Sequence, residues 1–335
     1  MTPDAAVLMP NPARPDGAPL PWPAGGPPLM LAPMQGLTNR ALRALFIDWV
    51  RPDTVFTEFM RVNPVGAGRS LSATDLREIA PAERGTPLVV QLIGHGRETL
   101  VAAARAAEAA GARHLNLNLG CPFGRMTSGP AGGRLLRHPE TLAELIPPLR
   151  DAIAGTFSVK LRAGYDDPQQ IFSLLPLFEA AGVDFLVLHP RTVVQEYAGT
   201  ADHAVTAAVV RQTRLPVIAN GDIRDAAGGR RLLAESGAAG LMLGRGAIAD
   251  PLLFERLRGR AAAVPEPAER RATLRRYLGE LLPRYRELFC GDAQALSKIK
   301  GVVATMDDPA LAKPLKRLRR AATVTAFAAV LDELG

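Results

Sequence analysis

Leu115-Asn116-Leu117-Asn118-Leu119-Gly120-Cys121-Pro122 alternates apolar and polar residues and then breaks into a Gly-Cys-Pro turn. Such period-2 alternation belongs to a strand whose successive side chains point to opposite faces. The thiol of Cys121 therefore stands at a strand's C-terminal end. A small-residue loop, Ser128-Gly129-Pro130-Ala131-Gly132-Gly133, follows, and Arg134-Leu135-Leu136 opens the approach to a helix. Strand, turn and helix make one βα unit, and chemistry in α/β proteins collects where such strands end. Taken alone, the thiol has two readings, because a lone cysteine is usually a small buried hydrophobe.

Units of this kind recur outward from that stretch in both directions. Candidate strands fall at Leu29–Ala32, Thr54–Thr57, Leu88–Leu92, His114–Leu117, Ser158–Leu161, Phe185–Leu188, Val217–Ala219 and Gly240–Leu243. Between them lie helical segments such as Arg40–Val50, Glu98–Ala110, Pro139–Ile153, Pro168–Ala181, Ala204–Gln212 and Ala226–Ser236, several ending in a glycine of the kind that caps helices. Eight βα units in one run favour a closed parallel barrel over a doubly wound sheet. After about Val264 the strands stop and an Arg/Leu/Glu-rich helical period takes over. The expected organisation is a Pro/Gly-rich disordered tail at 1–26, a catalytic (β/α)8 TIM barrel at 27–260, and a small all-helical C-terminal domain at 264–335.

Composition excludes several classes. The chain has 335 residues, 47% of them hydrophobic, with two cysteines and five histidines. That is enough for a barrel and an appendage, and too few cysteines for a disulfide framework. No ligand spacing for zinc occurs, so no metal is expected. No apolar run is long enough for a membrane span, and no charged-then-apolar signal segment opens the sequence, so a reducing cytoplasm is the expected compartment. The net charge is +7. Seven cations, Lys298, Lys300, Lys313, Lys316, Arg317, Arg319 and Arg320, face only Asp307 and Asp308 within one C-terminal window. That window reads either as a solvated helix face or as a patch that tracks phosphates.

The barrel reading makes the strand ends informative. They carry Pro33-Met34-Gln35-Gly36, Glu58-Phe59, Gln91, Asn118 with Cys121, Lys160-Leu161-Arg162, His189-Pro190-Arg191-Thr192, Asn220-Gly221-Asp222 and Gly244-Arg245-Gly246, whereas the strand bodies are apolar. Gly221-Asp222 and Gly244-Arg245-Gly246 fall at the corner where such barrels commonly hold phosphate. Gln91, Lys160, His189 and Asn220 suit a flat heterocycle, with Lys160 favouring negative charge on a reduced ring. Singly, each has a plainer reading: a strand-end lysine that pairs with a carboxylate, or a core imidazole.

In this order, Leu31-Ala32-Pro33-Met34-Gln35-Gly36, Thr57-Glu58-Phe59, Gln91-Leu92-Ile93-Gly94, Asn118-Leu119-Gly120-Cys121-Pro122, Val159-Lys160-Leu161-Arg162, His189-Pro190-Arg191-Thr192, Asn220-Gly221-Asp222-Ile223 and Gly244-Arg245-Gly246-Ala247 resemble the flavin-dependent tRNA-dihydrouridine synthases. The resemblance spans roughly residues 29–258, and the helical tail is similar in size and place to that family's RNA-binding domain. Thr57–Val62 and Ile299-Lys300 resemble the branch acting at position 16 of the tRNA D-loop.

The resemblance implies FMN as cofactor, NADPH as electron donor and tRNA as partner. It implies that Pro33 and Met34 line the flavin ring and that Gln91, Lys160 and His189 bond its polar edge. Asn220, Gly221, Asp222, Gly244 and Arg245 would then hold the ribityl chain and phosphate. Asn118 would face the uracil, and Cys121 would give a proton to C5 after hydride reaches C6. Arg191, Gln195 and Tyr197 are candidates to touch the substrate nucleotide, though Tyr197 packing its own loop is an equal reading. Lys298, Lys300, Lys316, Arg317 and Arg320 would clamp the tRNA body.

The chain departs from the family pattern at Phe123-Gly124-Arg125, where a small residue and then lysine are usual, and at Pro190, where glycine is usual. Two other functions stay open: an FMN-dependent barrel acting on a free pyrimidine or enone, and a non-catalytic RNA-binding protein on the same fold.

Overall fold

The computed structural model describes residues 19–64, 68–80, 82–123 and 130–334. Gly124, Arg125, Ser128, Gly129 and residues 1–18 of the expected tail lie outside them. Eight strands hydrogen-bond in parallel: β1 (Leu29–Leu31), β2 (Thr54–Phe56), β5 (Thr86–Ile93), β6 (His114–Leu119), β7 (Thr156–Arg162), β8 (Phe185–His189), β9 (Val217–Asn220) and β10 (Gly240–Leu243). Each pairs with the next, and β10 returns to β1 with Leu31 opposite Leu243, so the sheet closes into a barrel. Two short strands went unread in the sequence. β3 (Met60–Arg61) runs beside the end of β5, and β4 (Ala82–Glu83) pairs antiparallel with its start.

The helices between strands are set by ordinary end chemistry. The Asn39 side chain accepts from the N–H groups of Ala41 and Leu42 at 3.1 and 3.2 Å and starts helix Arg40–Val50. Asp225 starts helix Ala226–Ser236, which ends at Gly237 with φ +67°, a conformation natural to glycine.

The two halves of the barrel interior differ. Met30, Phe56, Val89, Phe185, Val187, Ile218 and Met242 form one apolar cluster with Trp22. Inward positions of β5 to β7 carry Gln91, Asn116, Asn118, Ser158 and Lys160 instead. Trp22 closes the N-terminal end of the barrel, its ring edge-on to Phe185 at 4.8 Å, while the Pro21 carbonyl accepts from the Thr54 hydroxyl. Residues 19–26 therefore correct the expected disorder: Trp22 is only 7% exposed, because an indole that fills a barrel end removes a large apolar area from water.

Helices Pro267–Leu288, Gly291–Ala304, Ala312–Arg320 and Val324–Asp332 follow the barrel. The first packs on helix Arg40–Val50, with Phe46 edge-on to Tyr277 at 6.1 Å, the Trp49 indole donating to Glu280 at 2.8 Å, and Arg284 pairing with Asp48 at 2.9 Å. One hydrophobic cluster runs from Leu42 and Phe46 through Tyr277 and Tyr285 to Ile299, Leu315 and Phe327. The helical region thus shares its core with the barrel. Among the described residues no helix is long and apolar enough to cross a membrane.

Candidate active site

A cavity of about 400 Å³ opens at the C-terminal end of the barrel strands. Of the residues chosen from sequence, Pro33, Met34, Asn118, Cys121, Lys160, His189, Tyr197, Asn220, Gly221, Asp222, Gly244 and Arg245 line it. Strands adjacent in space bring them together although they are as much as 212 positions apart in number, between Pro33 and Arg245.

The floor is a ladder of side-chain amides. The Gln91 amide donates to Asn116 Oδ1 at 2.8 Å, Asn116 donates to Ser158 Oγ at 2.8 Å, and Asn118 Nδ2 donates to Gln91 Oε1 at 2.9 Å. Asn118 Oδ1 then accepts from the N–H groups of Gly120 and Cys121 at 3.0 and 2.9 Å. A buried polar network of this kind is rigid when its members are satisfied, and its upper rung fixes the turn that carries the thiol. Arg162 holds the same turn from the other side, its Nε donating to the Gly120 carbonyl at 2.8 Å. Cys121 is half-buried, and burial pushes its thiol pKa up, against the pull of the Phe123 N–H and the cations Arg162, Lys160 and Arg61. The group is a thiol, with its proton in place, at neutral pH.

Lys160 donates to Asn220 Oδ1 at 3.0 Å, and Asn220 donates to the Met242 carbonyl at 2.9 Å. Burial first, and Arg162 second, lower the Lys160 pKa to about 8. Its ammonium has three protons, so donors remain for a ligand after Asn220 is served. His189 receives a bond from Arg191 Nη1 at 3.2 Å. Arginine only donates, so Nε2 is the acceptor and the proton sits on Nδ1. Burial, with Lys160, Arg162 and Arg191 nearby, lowers the His189 pKa to about 2, and the ring is neutral. Gly221, at φ +117°, lies against this ring; a Cβ there would come within 2.4 Å of His189 Cδ2.

At the phosphate corner, Asp222 accepts from Arg191 at 2.7 Å and from the Ala201 N–H at 2.8 Å, with Arg245 3.8 Å away. Burial works against its charged form, and these partners outweigh burial and lower its pKa. Arg245 lies over the Tyr197 ring at 4.7 Å, and Arg162 lies 5.4 Å from the same ring.

Several of the residues expected to meet ligands already hold partners within the protein. Gln91 is fully buried beneath the cavity wall, because both ends of its amide are used within the ladder. Asn118 does line the cavity, but its carbonyl oxygen caps the Cys121 turn. Arg191 is 2% exposed and is spent on His189, Asp222 and the carbonyls of Ala198 and Gly199, so it shapes the site from behind. Gln195 folds back on the Thr192 N–H at 2.7 Å and builds its own turn.

The basic window also divides. Lys298 lies half-buried 5.5 Å from the Phe289 ring, and Lys300 donates to the Ala321 carbonyl at 3.1 Å. Arg317 forms a two-bond pair with Glu333, one bond at 2.6 Å, and Arg319 caps the carbonyls of Val303 and Met306. Lys316 and Arg320 are exposed on the outer face of their helix, since Leu315 and Leu318 take the inner one.

In the sequence Arg162 is a strand-end residue with no role of its own. It joins the thiol turn to the loop after β8 through the carbonyls of Gly120, Thr192 and Glu196. His203, which reaches the Gly221 carbonyl at 2.9 Å, carried no signal because its segment reads as an ordinary helix start. Among the described residues, no group of three histidine, cysteine or acidic side chains is placed to hold a metal.

Known proteins with similar folds include the old yellow enzyme homologue from Zymomonas mobilis, at TM-score 0.51 and 13% identity, over 70% of this chain and 89% of that one. At such identity the likeness bears on the barrel fold alone. A "Probable tRNA-dihydrouridine synthase" of Rhodobacter capsulatus is 38% identical over 229 residues, 67% of this chain and 69% of the relative. A "tRNA-dihydrouridine(16) synthase" of Cupriavidus necator is 33% identical over 264 residues, 76% of this chain and 82% of the relative. The family model described as "Dihydrouridine synthase (Dus)" matches residues 30–307. The chain belongs to the dihydrouridine synthase family.

Proposed function

We propose that this enzyme is an FMN-dependent, NADPH-driven tRNA-dihydrouridine synthase that reduces the C5–C6 double bond of a D-loop uridine, in the cytoplasm where tRNA is found. The observation that carries the reading is the meeting of the Cys121 thiol and the Lys160 ammonium in one cavity, 39 positions apart in number and held there by Asn118, Arg162 and Asn220.

The residues present fit a phosphorylated flavin. Met34 and Pro33 offer an apolar wall, Lys160 has donors to spare, and Arg245 and Arg224 supply cations at the Gly244–Gly246 corner. When bound, the flavin supplies hydride to C6 of the uracil. Lys160 favours negative charge on the heterocycle beside it. The neutral His189 presents Nδ1–H as a donor that does not compete for protons. Cys121 Sγ–H gives its proton to C5, so hydride and proton together saturate the double bond, and the thiolate takes a proton back from solvent. Burial raises the thiol pKa, and this keeps the acid loaded between turnovers.

A uridine inside a folded tRNA reaches this cavity only when its base leaves the stack. The exposed face bearing Lys316 and Arg320 is suited to hold the RNA body through its phosphates. The resemblance of Thr57–Val62 and Ile299-Lys300 to the position-16 branch supports that position as the target. Mapping dihydrouridine in tRNA from cells with and without the gene tests the reading. Loss of the modification at that D-loop position is the expected result, and an unchanged map would overturn it.

A further inference from the structure

Four large apolar side chains are exposed among the described residues: Phe123 at 60%, Val194 at 60%, Tyr197 at 49% and Val264 at 75%. Scattered apolar residues need no explanation, but a cluster on one face does. Phe123 follows β6, and Val194 and Tyr197 lie in the loop after β8. Val264 lines a second cavity of about 590 Å³ between the barrel and the helical region, which shares Arg224, Arg245, Gly246 and Thr305 with the active-site cavity. Of the four, Phe123 and Tyr197 line the active-site cavity that holds the thiol.

Phe123 and Tyr197 meet there from two different loops, after β6 and after β8. Their ring centroids stand 6.4 Å apart with 34° between the planes, neither face to face nor edge-on, and Phe123, at 60% exposure, keeps most of its surface for another ring. Tyr197 is steadied by the guanidinium groups of Arg245 and Arg162. Two aromatic faces beside an exposed arginine match a nucleic-acid strand, whose bases stack and whose phosphates carry charge. Both rings line the cavity and are about half exposed or more, which puts them at its outer edge.

We propose that Phe123 and Tyr197 form a base-stacking rim that receives the bases flanking the target uridine. The proposal rests on the tRNA reading above. Removing a base from the stack exposes a face of each neighbour, and the rim replaces the contact that each one loses.

The test compares purified Phe123→Leu and Phe123→Trp enzymes, each with its bound flavin, on unmodified tRNA. Leucine keeps apolar bulk without an aromatic face; tryptophan enlarges the face. Loss of one base–aromatic contact predicts a rise in the KM for tRNA of about 5- to 150-fold in Phe123→Leu, with Phe123→Trp at or below the wild-type KM. The flavin absorbance of each variant reports that the barrel has folded. A Phe123→Leu enzyme with wild-type KM overturns the rim, as does an equal loss in both variants, which would mark a requirement for shape alone. A wild-type enzyme that forms no dihydrouridine overturns the tRNA reading itself, and the rim with it.

Discussion

The barrel mouth and the C-terminal helices use charge in opposite ways. At the mouth nearly every charged or polar group has a fixed partner: Lys160 on Asn220, Arg191 on His189 and Asp222, Arg162 on the Gly120 carbonyl. On the helices, three of the seven cations that look like a single patch in the sequence, Lys300, Arg317 and Arg319, are engaged in holding the helices together, and Lys313, Lys316 and Arg320 are exposed. Fixed groups suit a reaction whose atoms must be placed closely. Mobile exposed cations suit a polyanion held through many interchangeable phosphates. The same residue types thus serve position in one region and attraction in the other.

The largest effect is expected at the thiol. Cys121→Ala should lower the rate of dihydrouridine formation by about 10²- to 10⁴-fold, the usual worth of a positioned acid, in single-turnover assays. A rate close to wild type would remove the chemical role from the mouth. Next comes the rung beneath it. Asn118→Ala leaves the Gly120 and Cys121 N–H groups without their acceptor, which should cost about 1–3 kcal/mol in denaturant unfolding and slow the reaction by roughly tenfold as the turn loosens. Asn118→Asp retains the acceptor of the turn but loses the Nδ2–H that Gln91 Oε1 accepts, so it should recover only part of the rate. A rate near wild type in Asn118→Ala would show that the turn does not need this cap.

A pH series sharpens the mouth further. Lys160 is an ammonium below about pH 8 and an amine above it, whereas burial moves the Cys121 thiol to higher pKa. The rate should therefore fall as pH rises through about 8, before the thiol is lost, and Lys160→Arg should move that fall upward, because arginine stays charged. A profile flat through this range would show that the lysine charge is not used.

The smallest effect belongs to the helices. Reversing Lys316 and Arg320 to Glu should weaken tRNA binding and reduce the salt slope by roughly 2. Arg317→Glu should do less, since Glu333 already occupies that guanidinium. Equal salt slopes in all three proteins would erase the contrast between the two regions.

The barrel was legible in the sequence because each βα unit announces itself locally, by alternation, a glycine or an acidic cap, and a polar strand end. The cavity wall was legible for the same reason, since a strand end in a closed barrel has only one place to point. What sequence could not show was the direction of the second layer. Gln91 and Arg191 carry the residue types of ligands, but Asn116, Asn118, Asp222 and two carbonyls reach them first. Whether a polar side chain serves a ligand or a neighbour depends on contacts between strands distant in sequence. Trp22 was hidden in a Pro/Gly-rich stretch with no periodicity, though its indole is the plug of the barrel. The basic window misled in a simpler way: a count of charges does not show which helix carbonyls and carboxylates they meet.

The most direct test is to give the purified holoenzyme NADPH and an unmodified tRNA transcript, and then to locate reduced uridines by mass spectrometry of nuclease fragments. Conversion of a D-loop uridine to dihydrouridine is the expected result. A flavin that NADPH reduces but that leaves every uridine in the tRNA intact would contradict the central claim.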